Sequence, residues 1–103
     1  MRDRVQVVVI GGGVVGCSVL YHLTRAGWTD AVLLERKELT AGSTWHAAGG
    51  MHTLNGDPNV AALQRYTIKL YRELEEATGM DCGVHQTGEL MLADAEDQMD
   101  WLR

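Results

Sequence analysis

At 103 residues, 46% of them hydrophobic and 22% charged, the chain has the composition of one small globular domain, which excludes a disordered segment. A net charge of −5, with Lys and Arg scattered rather than clustered, leaves no footprint for a nucleic acid partner. The longest apolar run near the N-terminus, Val7 to Ile10, ends in glycines, far short of a membrane span or of a signal-peptide core. No membrane partner is expected, and the compartment is cytoplasmic of bacterial type, or the mitochondrial matrix for a processed eukaryotic chain. Cys17 and Cys82 stand far apart with no CxxC pair, so neither a disulfide framework nor a metal site is indicated. Both are expected as small buried hydrophobes.

In chain order, Arg4 to Ile10, "RVQVVVI", is β-branched and nearly continuous, which predicts a strand buried on both faces of a parallel sheet. "GGGVVG" follows, and Val15, Val19, Leu20 and Leu23 predict a helix over Val14 to Ala26, closed by Gly27. A second apolar run, Ala31 to Leu34, ends in Glu35, completing a βαβ unit. The next stretch, "RKELTAGSTWHAAGGMHTLNGD", has no convincing periodicity. Asp57 and Pro58 then read as N-cap and first residue of a helix closed by Gly79, with Val60, Leu63, Thr67, Leu70 and Leu74 as its apolar stripe. Glu73, Glu75 and Glu76 form a solvated face, and Tyr66 and Tyr71 are packing or surface residues. "VHQTGELMLA", Val84 to Ala93, predicts a strand turning at Gly88, after which Asp94 caps a final helix toward Trp101.

Gly11, Gly13 and Gly16 form G-x-G-x-x-G between the first strand and the first helix. Gly11 permits the tight turn, Gly13 lets a pyrophosphate approach the backbone, and Gly16 lets helix and strand pack closely. Val14 and Val15 open the helix, whose N-terminal N–H groups and positive dipole end suit phosphate oxygens. Glu35 closes the second strand 19 positions after Gly16, where a carboxylate can accept hydrogen bonds from a ribose with free hydroxyls, as in NAD or the adenosine half of FAD. The alternative is a plain surface glutamate at a strand end. Arg36 beside it hints at a 2′-phosphate, but Glu35 would repel that group, so NADP is disfavoured.

A plain NAD module follows its second strand with another helix and strand. Here a thin loop carries Gly42, Ser43, Thr44, Trp45 and His46 instead, with hydroxyls and backbone N–H groups able to lie along an extended ligand. "VVVIGGGVVGCSVLYHLTRAGWTDAVLLERKELTAGSTWHAAGG" resembles the start of the FAD-dependent amine dehydrogenases related to D-amino-acid oxidase, dimethylglycine and sarcosine dehydrogenases most of all. The likeness continues through "IKLYRELEEATGMDCGVHQTGELMLA", and "GSTWHAAG" is its most specific part. The resemblance implies an α/β fold, the N-terminal part of a Rossmann-like FAD-binding domain. It divides into a dinucleotide-binding βαβ unit and flavin loop over 4–56, a helix over 57–79 and the start of a substrate-side sheet with a following helix over 84–103.

In that family the histidine of the loop is bonded covalently to the 8α-methyl of the flavin, and it matches His46. A neutral ring nitrogen is a competent nucleophile toward the flavin's 8α-methylene, and the loop supplies proximity. The alternative for His46 is a hydrogen bond to a neighbour or a non-bonded contact with the cofactor. Trp45 either walls the flavin site or packs on the sheet. His22, His52 and His85 are read as structural, and Met51, Met80, Met91 and Met99 as core filler.

The resemblance implies oxidation of an N-methylated amine, of the dimethylglycine or sarcosine type, by hydride transfer to flavin. Electrons would pass to an electron-transfer flavoprotein or to oxygen, and a one-carbon unit to water or a folate. No substrate acid or base is identified, and the chain reads as the N-terminal piece of a longer flavoprotein. Two alternatives stand beside it: a non-catalytic NAD- or FAD-binding module, and an inactive truncated fragment.

Overall fold

The computed structural model describes residues 3–102. They fall into two compact units that divide after Gly49, and each is described by itself.

In the first unit, β1 (Val7–Ile10), α1 (Val14–Arg25) and β2 (Ala31–Leu34) follow one another as the expected βαβ unit. The strands are parallel, with Val7 opposite Ala31 and Ile10 opposite Leu34. The ladder continues past the strand end through Gly11 N–H donating to Leu34 O at 2.8 Å. β1 starts at Val7 rather than Arg4. Its partner begins only at Ala31, and just before the ladder the N–H groups of Gln6 and Val7 both converge on Asp30 O. α1 stops at Arg25; Ala26 N–H still reaches His22 O, and Gly27, at φ +94°, turns the chain so that Trp28 N–H caps Leu23 O.

The expectation that β1 is buried on both faces is corrected. Val7 and Val9 are half-buried, whereas Val8 is 48% and Ile10 84% exposed. A strand turns alternate side chains to opposite faces, and α1 covers only the face of Val9. Cys17 is half-buried and Cys82 exposed, so the expectation of two buried cysteines fails at Cys82.

The second unit holds α2 (Pro58–Thr78) and α3 (Glu96–Leu102). Asp57 caps α2 as expected: its carboxylate accepts the N–H of Asn59 at 2.7 Å and of Val60 at 3.1 Å, groups that no helical carbonyl can reach. Gly79 ends the helix in the left-handed region at φ +69°. Of the expected stripe only Leu70 is buried; Thr67 and Leu74 are half-buried, and Val60 and Leu63 are exposed. Met51, Met80, Met91 and Met99 are exposed and fill no core.

Val84 to Ala93 is not a strand. No strand among the described residues pairs with it, and an extended segment without a partner has no ladder for its N–H and C=O groups. Positive φ at Gly83 and Gly88 bends it twice. Side chains of α2 hold this stretch instead: Glu75 accepts the N–H of Cys82 at 2.8 Å, and Arg72 donates to the Gln86 amide oxygen. Asp94 does not cap α3 with its carboxylate as expected. It donates its N–H to Gln98 Oε1 at 3.1 Å, one residue before the N–H that a capping box would use. Among the described residues no helix is long and apolar enough to cross a membrane.

Candidate functional site

The glycine turn and the loop after β2 are tied together by three hydrogen bonds, and a fourth braces the loop itself. Glu35 Oε2 accepts the N–H of Gly12 at 2.7 Å, and its other oxygen accepts that of Lys37 at 2.9 Å. Gly12 O accepts the N–H of Thr40 at 2.9 Å. Thr44 Oγ1 accepts the N–H of Val14 at 2.9 Å, at the first turn of α1. Residues 30 positions apart are thereby joined across the mouth of the turn.

Steric demands sort the glycines. A Cβ on Gly16 would lie 1.8 Å from Gly11 O, so the close passage of α1 over the turn requires glycine there. Gly11 adopts φ +106°, which only glycine holds without strain. A Cβ on Gly13 would press on Thr44 Oγ1 at 2.9 Å. Gly42 differs: a Cβ there meets nothing within 4 Å and its φ of −88° is ordinary, but its ψ of −140° lies outside the α and β regions. That backbone setting itself favours glycine.

The first helical N–H with a backbone acceptor is that of Cys17, to Gly13 O at 3.0 Å. Helix geometry therefore leaves the N–H groups of Val15 and Gly16 without an intrahelical partner, as a phosphate site requires. Val14 and Val15 are exposed, so no bulky side chain buries this end. The Glu35 carboxyl is held below its ordinary value, first by the Gly12 N–H, then by that of Lys37, with the N–H and charge of Arg36 adding; partial burial works the other way. Arg36 is exposed beside it.

Ser43–His46 form a single 3-10 turn that the sequence did not suggest. Within it, His46 Nδ1 lies 3.0 Å from Gly42 O, and the Trp45 and His46 rings meet at 4.4 Å between centroids, tilted by 46°. Trp45 is 68% exposed, which removes the expectation that it packs on the sheet. Ser43 is exposed and Thr44 half-buried.

Sequence reasoning missed Gly12 and Thr40. Gly12 is buried; its N–H meets Glu35 and its carbonyl receives both Thr40 N–H and, at 3.6 Å, the Cys17 thiol. A Cβ there would meet Leu39 Cδ2 at 2.6 Å. The run of three glycines was the available signal, but the fingerprint treats its second position as variable. Thr40 adopts φ +67°, which a branched residue holds only under constraint. Nothing in its sequence context marks that.

A parallel βαβ unit with a glycine turn, an open helix N-terminus and an acidic residue closing the second strand defines a dinucleotide-binding protein. The chain belongs to the family described as FAD dependent oxidoreductase, which residues 6–103 match. Its cofactor is thus FAD, and the geometry fits: glycine where a Cβ would strike Gly11 O, and unpaired N–H groups at the start of α1.

The chain is 50% identical over 99 residues to dimethylglycine dehydrogenase, mitochondrial, of Rattus norvegicus, covering 96% of this chain and 12% of the other. It is 43% identical over 96 residues to the pyruvate dehydrogenase phosphatase regulatory subunit, mitochondrial, of Mus musculus, covering 93% and 11%. Sarcosine dehydrogenase, mitochondrial, of Homo sapiens is 47% identical over 101 residues, covering 97% and 11%. The chain thus spans about an eighth of the length of these relatives or less.

Proposed function

We propose that this chain forms the cofactor-binding start of an oxidoreductase that oxidises an N-methylated amine of the dimethylglycine or sarcosine type. The observation that carries the reading is the Thr44 to Val14 hydrogen bond, which fastens the loop ending in His46 to the mouth of the glycine turn. One extended dinucleotide can then follow the chain from the turn to the imidazole. Similarity to enzymes named for dimethylglycine and sarcosine supplies the substrate class.

Gly11, Gly13 and Gly16, with the N–H groups of Val15 and Gly16 left open where Val14 and Val15 begin α1, would hold the pyrophosphate. Glu35, flanked by Arg36, would accept the adenosine ribose hydroxyls; its oxygens keep lone pairs beyond those given to Gly12 and Lys37. Gly42, Ser43 and Thr44 would line the ribityl arm, and Trp45 and His46 the flavin ring. Because a carbonyl only accepts, the contact with Gly42 O puts the proton of neutral His46 on Nδ1. Nε2 then carries the free lone pair for a covalent bond to the flavin 8α-carbon. FAD supplies the two-electron acceptor for the C–H bond beside the substrate nitrogen. In this reading residues 4–56 serve the cofactor, 57–79 form a helix and 84–103 lead into a substrate-side sheet. Electrons leave to an electron-transfer flavoprotein or oxygen, the one-carbon unit passes to water or a folate, and the mitochondrial names of the relatives favour the matrix.

The test is the intact mass and flavin fluorescence of the denatured protein purified from its native source. A flavin adduct that survives denaturation and maps to His46 supports the tether, and bleaching of the bound flavin by dimethylglycine or sarcosine under anaerobic conditions supports the reaction. FAD that binds but is reduced by no N-methylated amine would favour a second reading, a cofactor-binding module without catalysis. That reading is prompted by the similarity to a protein named as a regulatory subunit.

A further inference from the structure

We infer that Trp45 is a positioning residue for His46: its indole and the Gly42 carbonyl together fix the plane and tautomer of the imidazole, so that Nε2 faces the flavin ring before any bond forms. The inference rests on the tether proposed above and adds a residue to it. Two contacts of the ring carry it. Gly42 O lies 3.0 Å from Nδ1, and the Trp45 ring centroid lies 4.4 Å from that of the imidazole at a tilt of 46°. A single hydrogen bond leaves a ring free to swivel about it, whereas a second contact, with a neighbouring ring, restricts that freedom. Trp45 has no other evident employment, since with 68% of its surface exposed it contributes little to packing. Gly42, Trp45 and His46 all belong to one short turn, so the arrangement does not depend on distant parts of the chain.

The attachment this prepares balances as follows. The bond formed joins Nε2 to the 8α-carbon, and the bond broken is one 8α C–H. That hydrogen and the one shed by Nδ1, with two electrons, leave the flavin reduced; dioxygen takes up both, giving hydrogen peroxide and oxidised flavin. Between attack by Nε2 and loss of the Nδ1 proton the imidazole carries positive charge beside the indole ring. Trp45 therefore acts on the rate of attachment and on the state of His46 more than on affinity for FAD.

The experiment uses the full-length protein produced without flavin and reconstituted with FAD in air. Nitrogen-15 spectra of the histidine side chains report the His46 tautomer, and flavin retained after denaturation reports attachment. We expect the Nδ1–H form in the wild type and in W45F, and a mixture of tautomers in W45A. The initial attachment rate of W45A should fall roughly tenfold to a hundredfold, as for a misplaced reacting group, with W45F close to wild type and reversible FAD affinity little changed. A W45A protein that keeps the wild-type tautomer and attaches FAD at the wild-type rate overturns the inference alone. A wild-type protein that releases all its FAD on denaturation overturns the tether itself, and this inference with it.

Discussion

The Thr44 hydroxyl accepts the Val14 N–H at 2.9 Å, so a residue of the second loop performs the capping that the glycine before α1 cannot. Gly13 occupies the N-cap position and has no side chain to offer, while glycine is what the approach of a pyrophosphate demands. The conflict between capping and binding is resolved by borrowing an acceptor from 30 residues further along.

Thr44→Ala should therefore destabilise the first unit by about 1 kcal/mol, as loss of an N-cap does, and weaken FAD binding as the loop detaches. Thr44→Ser keeps the oxygen and should restore most of both. Thermal melting with and without FAD measures the two effects together, because a ligand of the folded state raises the melting temperature. Equal melting of T44A and T44S would refute the capping role.

The glycines give a paired prediction. Gly16→Ala places a methyl 1.8 Å from a backbone carbonyl that cannot rotate away, and should cost at least about 3 kcal/mol by forcing α1 off the turn. Gly42→Ala meets nothing within 4 Å, so its cost should be limited to the backbone strain of a Cβ at ψ −140°, about 1 kcal/mol. If the ribityl arm passes over Gly42, however, G42A should lose more FAD affinity than that modest destabilisation explains. Denaturant melts together with FAD titration distinguish the two positions, and tight FAD binding by G42A would remove Gly42 from the site.

Thr40 offers a stabilising change. Its φ of +67° is maintained by the N–H bond to Gly12 O, at the expense of strain in a β-branched residue. Asparagine tolerates that region better, so Thr40→Asn should raise stability by about 0.5 to 1 kcal/mol with the backbone unchanged. A lower melting temperature for T40N would mean that the threonine side chain makes a compensating contact.

Much of this architecture was legible in the sequence because it is local. The valine run, the helical spacing after the glycines and the Asp57, Pro58 and Gly79 signals each depend on residues within a few positions of one another, and each produced its element. Val84 to Ala93 was misread because a strand is defined by its partner, and its alternation says nothing about whether one exists. The burial of β1 failed likewise: valines on both faces record what a strand is fit for, while the cover on one face has to come from elsewhere. At the site, residue types and spacing pointed to Glu35 and Thr44, and the resemblance carried by "GSTWHAAG" pointed to His46. The bonds from Gly12 to Glu35 and from Val14 to Thr44 join positions far apart in sequence, and no local pattern foretells them.

Glu35 makes the site sensitive to acid. Its folded carboxyl titrates below the ordinary value of 4.5, chiefly because the ionised form accepts the N–H groups of Gly12 and Lys37. A depressed folded pKa means that the unfolded chain binds a proton more readily than the folded one. The resulting stabilisation is fully present above the unfolded value, declines as pH falls below it, and is gone once pH passes the folded value. Glu35→Gln has no such titration, though its amide oxygen can still accept one bond. The difference in melting temperature between wild type and E35Q should thus stay constant from neutrality down to about pH 5 and shrink below that. Nitrogen-15 shifts of the Gly12 and Lys37 amides should move over the same interval in the wild type and stay fixed in E35Q. A difference that grew on acidification would show that the carboxylate destabilises the glycine turn, and would leave Glu35 without its role in holding the cofactor loop.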